Sequence, residues 1–122
     1  MDVMLVWQAF ITLTGMTKEE ARTWLPLCHW STACLFGRVR PGVDLAANQT
    51  ALCYAAGAMA YYKYVLRTAS LETTATFAAG DVKIAENATA RIEAARALCE
   101  EAVQSVKHLC GDDVWLMGVG WE

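Results

Sequence analysis

Six positions in the stretch 48–69 set the pattern of the chain. Leu52, Ala55, Met59, Tyr62, Leu66 and Ala69 recur at alternating steps of three and four. That spacing keeps one apolar seam on a single side of a helix. Cys53, Ala56, Gly57, Ala60, Tyr61 and Tyr64 fill further sides, and Lys63 is the only charge between Ala51 and Leu66. A helix that is apolar nearly all round must be covered on more than one face. The central helix 48–69 is therefore expected to be both core and subunit interface, with Gly57, Ala60, Tyr61 and Tyr64 as the interface residues. The small-residue run Ala55-Ala56-Gly57-Ala58 permits close helix approach, either inside one subunit or between two.

The same alternation returns at Ile92, Ala95, Cys99, Ala102, Val106 and Leu109, with Glu93, Arg96, Glu100, Glu101, Gln104 and Lys107 between. It predicts an amphipathic last helix over 88–110, capped by Asn87, ended by Gly111 and supported by a Glu93–Arg96 pair. Two matching seams predict a long antiparallel helix pair. Upstream, Val3, Val6, Trp7, Phe10, Ile11 and Leu13 predict an N-terminal helix within 1–16, stopped by Gly15. Thr17 and Glu20 make a capping box for a helix over 17–40 that kinks or restarts at Pro26. Arg38, Arg40 and Pro41-Gly42 close that helix, and Asp44 or Asn48 caps the central one.

Between the long helices, 70–87 reads as a contact loop turning at Gly80-Asp81. Val82, Lys83 and Ile84 alternate like a strand that pairs with Thr74, Thr76 and Phe77 in a short hairpin. Connections of that length are commonly functional. The segment 111–122 is too short and glycine-rich for a helix, so it is expected to be extended. Its Val114, Trp115, Leu116, Met117, Val119 and Trp121 call for cover, on the chain's own domain or on another subunit or partner. The expected architecture is all-α: one domain over 1–122, a small helical bundle on a long antiparallel pair.

Composition narrows the function. The chain has 122 residues, 56% hydrophobic and 19% charged, with a net charge of −3. Residues 1–66 carry five basic and four acidic side chains, whereas 67–122 carry five basic and nine acidic. That balance, without any basic run, disfavours binding through phosphate neutralisation. The five cysteines include no C-x-x-C pair and sit in apolar helix-like segments, as reduced core thiols of a cytoplasmic protein would. The opening apolar run lacks a basic leader and is far short of the ~20 residues that cross a bilayer. Two Asn-x-Thr triplets, at Asn48 and Asn87, are then coincidental.

Catalytic and cofactor signatures are missing: there is no phosphate-binding loop, dinucleotide fingerprint, nucleophile elbow or zinc-protease motif. His29 beside Cys28 and His108 near Cys110 fall inside helices, not on the paired turns that bind zinc. Glu100 and Glu101 diverge as neighbours on a helix, and Tyr54, Tyr61, Tyr62 and Tyr64 lack the basic company that base stacking needs. No enzymatic activity, cofactor or metal is expected.

One resemblance gives the residues a more specific setting. Arg38-Val39-Arg40-Pro41-Gly42 is followed by Leu52-Cys53-Tyr54-Ala55-Ala56 leading to Tyr61-Tyr62-Lys63-Tyr64. Then come Thr76-Phe77-Ala78-Ala79-Gly80-Asp81-Val82-Lys83-Ile84 and an alanine-rich closing helix. Over about residues 17–113 this order resembles the head–tail connector (adaptor) proteins of tailed bacteriophages and prophages. The resemblance implies a non-enzymatic virion protein, made in the bacterial host cytoplasm and assembled as a ring, usually twelvefold, under the portal. It extends the channel toward a stopper or tail-completion protein, and genomic DNA passes through without specific binding. Carried onto this chain, Val114, Trp115, Leu116, Met117, Val119 and Trp121 would face the portal. Phe77, Gly80, Asp81, Val82 and Ile84 would form the contact loop. The alternative from the residues alone is a small helical DNA-binding or DNA-packaging accessory protein, its basic face drawn from 31–40 and 91–96.

Overall fold

The structure, a computed structural model, describes the backbone of residues 3–79 and 82–110 and the side chains of 3–69 and 87–110. Local signals set its first half. Helix α1 (Val3–Thr14) ends at Gly15, whose φ of 74° suits glycine and whose amide donates to the Ile11 carbonyl at 2.8 Å. Helix α2 (Lys18–Ala21) starts with a complete capping box. The Thr17 hydroxyl accepts from the Glu20 amide at 3.2 Å, and the Glu20 carboxylate accepts from the Thr17 amide at 3.4 Å. A 3₁₀ turn, Arg22–Trp24, leads into α3 (Leu25–Phe36), which restarts with Pro26 in its first turn, where the missing N–H costs nothing.

Helix α4 (Gln49–Ala79) and helix α5 (Val82–Val106) form the long pair, and a 3₁₀ turn, Lys107–Leu109, follows α5. Asp44 caps a lead-in turn by accepting from the Ala47 amide at 3.1 Å, and the Asn48 carbonyl receives the Leu52 amide at 3.0 Å. The fold is all-α. Among the described residues there is no strand, only an isolated antiparallel bridge between Val39 and Cys110.

The stretch 70–87 is therefore not a loop carrying a hairpin. Phe77 lies near the end of α4, and Val82 and Ile84 lie in the first turn of α5. The central helix extends to Ala79, the last helix begins at Val82, and Asn87 is interior to it rather than its cap. Threonine in a helix interior costs only ~0.5 kcal/mol against good formers. Ala69, Leu71, Glu72, Ala75, Ala78 and Ala79 are such formers, interleaved with the threonines that suggest a break. Packing of one long helix on the other supplies the rest of the helical stability. Gly80 and Asp81, between the helices, lie outside the described residues, as does the segment 111–122 with its six apolar contact residues.

Both seams are buried where described. Leu52, Ala55, Met59 and Ala69 are fully covered, as are Cys99 and Val106, while Leu66, Ile92 and Leu109 pack partly buried against them. Residues from all five helices join one apolar cluster. Helix α1 crosses α4 at Gly57, where an added Cβ would lie 2.6 Å from the Ala9 Cβ and 3.1 Å from the Val6 carbonyl oxygen. Trp7 ties α1 to α2 by donating its indole N–H to the Ala21 carbonyl at 3.1 Å. Ser31 and Thr32, buried on α3, donate their hydroxyls back to the Cys28 carbonyl, so neither is left unpaired.

Candidate functional site

The side of α4 expected to meet a neighbouring subunit is largely taken by the chain's own N-terminal helices. Gly57 and Ala60 are buried, Gly57 under α1, and have no surface left to offer. Tyr64 stands edge-on to the Phe10 ring at 5.8 Å and to the Trp24 ring at 4.8 Å. Tyr61 packs partly buried against the same cluster. The N-terminal segments cover this side because Gly57 and its alanine neighbours let α1 lie almost backbone to backbone on α4.

Beyond Tyr64, α4 and the start of α3 enclose an open groove of about 600 Å³. Trp24, Pro26, Leu27 and Trp30 line one wall; Lys63 and Arg67 line the other. Pro26 fixes this geometry, because it restarts the helix so that Trp24 and Trp30 flank the first turn of α3. Lys63 and Arg67 are one turn apart on α4 and reach across. The Lys63 ammonium lies 5.5 Å from the Trp30 ring centroid and the Arg67 guanidinium 5.9 Å from that of Trp24. Each cation thus has an aromatic face beneath it. The lining holds no carboxylate, imidazole or thiol. Flat apolar walls with two cations suit the capture of an apolar segment that carries acidic groups.

Sequence reasoning missed this groove. Its signal was the pair Lys63 and Arg67, spaced i and i+4 on an otherwise apolar helix, together with Trp24 and Trp30 straddling Pro26. It also misplaced Arg40. Rather than closing its own helix, Arg40 donates its backbone N–H to the Leu109 carbonyl at 2.9 Å and its Nε–H to the Cys110 carbonyl at 2.7 Å. That satisfies carbonyls at the far end of the chain with a cation, as a helix C-terminus favours. Arg96 pairs with Glu100 at 3.2 Å, one turn ahead, in place of Glu93.

The cysteines are all free, and Cys28, Cys53, Cys99 and Cys110 are buried. Burial pushes the Cys28 and Cys99 thiols up to about 12, with Glu100 adding to the effect at Cys99. Burial also raises Cys34 and Cys110; Arg38 and Lys63 oppose the rise at Cys34, and Arg40 opposes it at Cys110. None of these four has the lowered pKa of an activated thiol. His29 and His108 are exposed, and among the described residues no three His, Cys, Asp or Glu side chains gather as metal ligands. Among the same residues no helix is long and apolar enough to cross a membrane. Compared with protein-family models, curated proteins and solved structures, the chain matches none.

Proposed function

We propose that this chain is a non-enzymatic virion protein, a head–tail connector that forms a ring between the portal and the tail or stopper protein. The observation that carries the reading is the length of the helical hairpin. Helix α4, with 31 residues, measures about 46 Å, and α5, with 25, about 37 Å. Helices α1 and α3, with 12 residues each, measure about 18 Å. Among the residues whose side chains are described, α1 meets α4 at Gly57 and Tyr64, Trp30 of α3 meets it at Lys63, and Trp24 of the 3₁₀ turn meets it at Tyr64 and Arg67. A short bundle carrying a long hairpin suits a subunit that reaches toward neighbours. Phe77, Val82 and Ile84, with Gly80 and Asp81 between the helices, then serve as the contact element at its far end. Val114, Trp115, Leu116, Met117, Val119 and Trp121 serve as the portal-facing tail.

The DNA-binding alternative has less to draw on. Arg40 is engaged with the Cys110 carbonyl and Arg96 with Glu100, which takes two cations from the basic face it requires.

Sedimentation and electron microscopy, with and without the portal protein of the same genome, test the connector reading. Rings, alone or on the portal, are expected. A protein that stays monomeric and leaves the portal bare refutes it. Deleting Val114–Glu122 is expected to keep the helical fold and abolish portal binding.

A further inference from the structure

Helix α4 carries the groove on one flank and an exposed tyrosine on the other. We propose that the groove seats a second copy of this chain by that opposite flank. Tyr54 of the neighbouring copy lies against Trp24, Leu27 and Trp30, and its Glu101 lies beside Arg67.

Placement on α4 makes this contact head-to-tail. Arg67 follows Tyr54 by thirteen residues, so the two point about 140° apart around the helix. Helix α3 packs on the Arg67 side, where the groove opens. Helix α5 packs on the Tyr54 side, where Tyr54, Leu98, Glu101, Ala102 and Ser105 border a shallow hollow of about 220 Å³. A contact that joins two unlike surfaces leaves one of each unused at both ends of a pair. It therefore propagates, and closes into a ring where the rotation between copies allows.

The chemistry of the two flanks is complementary. Among the described residues, the groove lining holds cations and no carboxylate, while the hollow holds Glu101 and no cation. Arg67 and Glu101 are both exposed. A guanidinium can keep its flat face on an indole while its N–H edge pairs with a carboxylate, and Arg67 already lies over Trp24. Tyr54 is a large apolar side chain left 44% exposed, and it meets two indoles edge-on or stacked at little cost in side-chain entropy. Tyrosine, tryptophan and arginine are the residues on which interface affinity most often rests. Ala90, Ala94 and Ala97 are exposed on the outward side of α5 and align with Glu101 at three- and four-residue steps. Their small side chains let a neighbour's α3 come close.

Closure as a ring rests on the connector reading, whereas the contact itself belongs to this chain alone and is tested without a portal.

Sedimentation of the purified full-length chain, over rising concentration and at low and high salt, tests the contact. Species larger than a dimer are expected, dissociating on dilution and with added salt. Arg67→Glu or Glu101→Lys alone should weaken association about tenfold, and the two combined in one chain should restore most of it. Tyr54→Ser should weaken it without rescue by either charge change. Circular dichroism on each variant checks that the helices remain. A chain that stays monomeric up to millimolar concentration overturns the proposal. Assembly that stops at a dimer overturns the head-to-tail contact. Association indifferent to all three substitutions also overturns it, by assigning self-assembly to another surface. Failure of the connector reading shows differently: the chain associates as expected and leaves the portal bare.

Discussion

Replacing Gly57 by alanine turns the packing of α1 on α4 into a sign. In an exposed or loosely covered helix interior, Gly→Ala stabilises by about 1 kcal/mol, because alanine loses less backbone entropy and is the better helix former. At Gly57 the new methyl would sit 2.6 Å from the Ala9 Cβ, a separation that real Cβ atoms essentially never show, with the Val6 carbonyl oxygen at 3.1 Å and the Phe10 amide nitrogen at 3.3 Å. Two of those neighbours are backbone, so no side-chain rotation relieves the clash and α1 as a whole must move. Forcing an extra methyl into such a contact costs about 3 kcal/mol, at the upper end for overpacked cores. Net of the helix-propensity gain, Gly57→Ala should destabilise by about 2 kcal/mol and lower Tm by about 8 °C. Urea unfolding followed by circular dichroism measures it. Ala9→Gly should recover part of the loss in the Gly57→Ala background while costing about 1 kcal/mol alone, so the double-mutant cycle shows favourable coupling. Stabilisation by about 1 kcal/mol in the single variant would refute the packing and leave that side of α4 open to a neighbouring subunit.

Other perturbations read separate features. Arg40→Ala removes the Nε–H donor from the Cys110 carbonyl and should cost about 1–2 kcal/mol, with faster amide exchange at Leu109 and Cys110 as the local mark. Thr17→Ala deletes the capping box and should cost about 1 kcal/mol in thermal unfolding. With thiol reagent at pH 8, mass spectrometry should find Cys34 modified well before Cys28 and Cys99; equal rates would contradict their burial. Those two thiols hold their protons to about 12, whereas an unfolded chain releases them above the ordinary value of 9.0. Their contribution to stability is thus fully present below pH 9 and lost as pH rises from about 9 to about 12, which denaturant midpoints across that range would show.

What could be read in advance was local or periodic. The Thr17–Glu20 box, the stop at Gly15 and the restart at Pro26 each depend on residues within one turn, and the paired seams depend on a single period. The run after Ala69 was misread because short alternation and threonine content resemble a strand, while alanine interleaved at the same density sustains a helix once a partner helix is present. The α1–α4 crossing was half legible: the small residues announced a close approach but not whose backbone would make it. Nothing near Arg40 in sequence indicates a partner 70 positions away, and the groove joins Trp24 and Trp30 to Lys63 and Arg67 only after α3 folds back on α4.

The clasp at Arg40 also has a mechanical meaning. Tension applied to the chain after Cys110 would be shared between the backbone that leads into α5 and the two Arg40 hydrogen bonds, to the Leu109 and Cys110 carbonyls, which pass their part to the segment after α3. While those bonds hold, the last turns of α5 bear only the remainder. The clasp therefore acts as a strain relief, letting the C-terminal segment be pulled while the long hairpin stays wound.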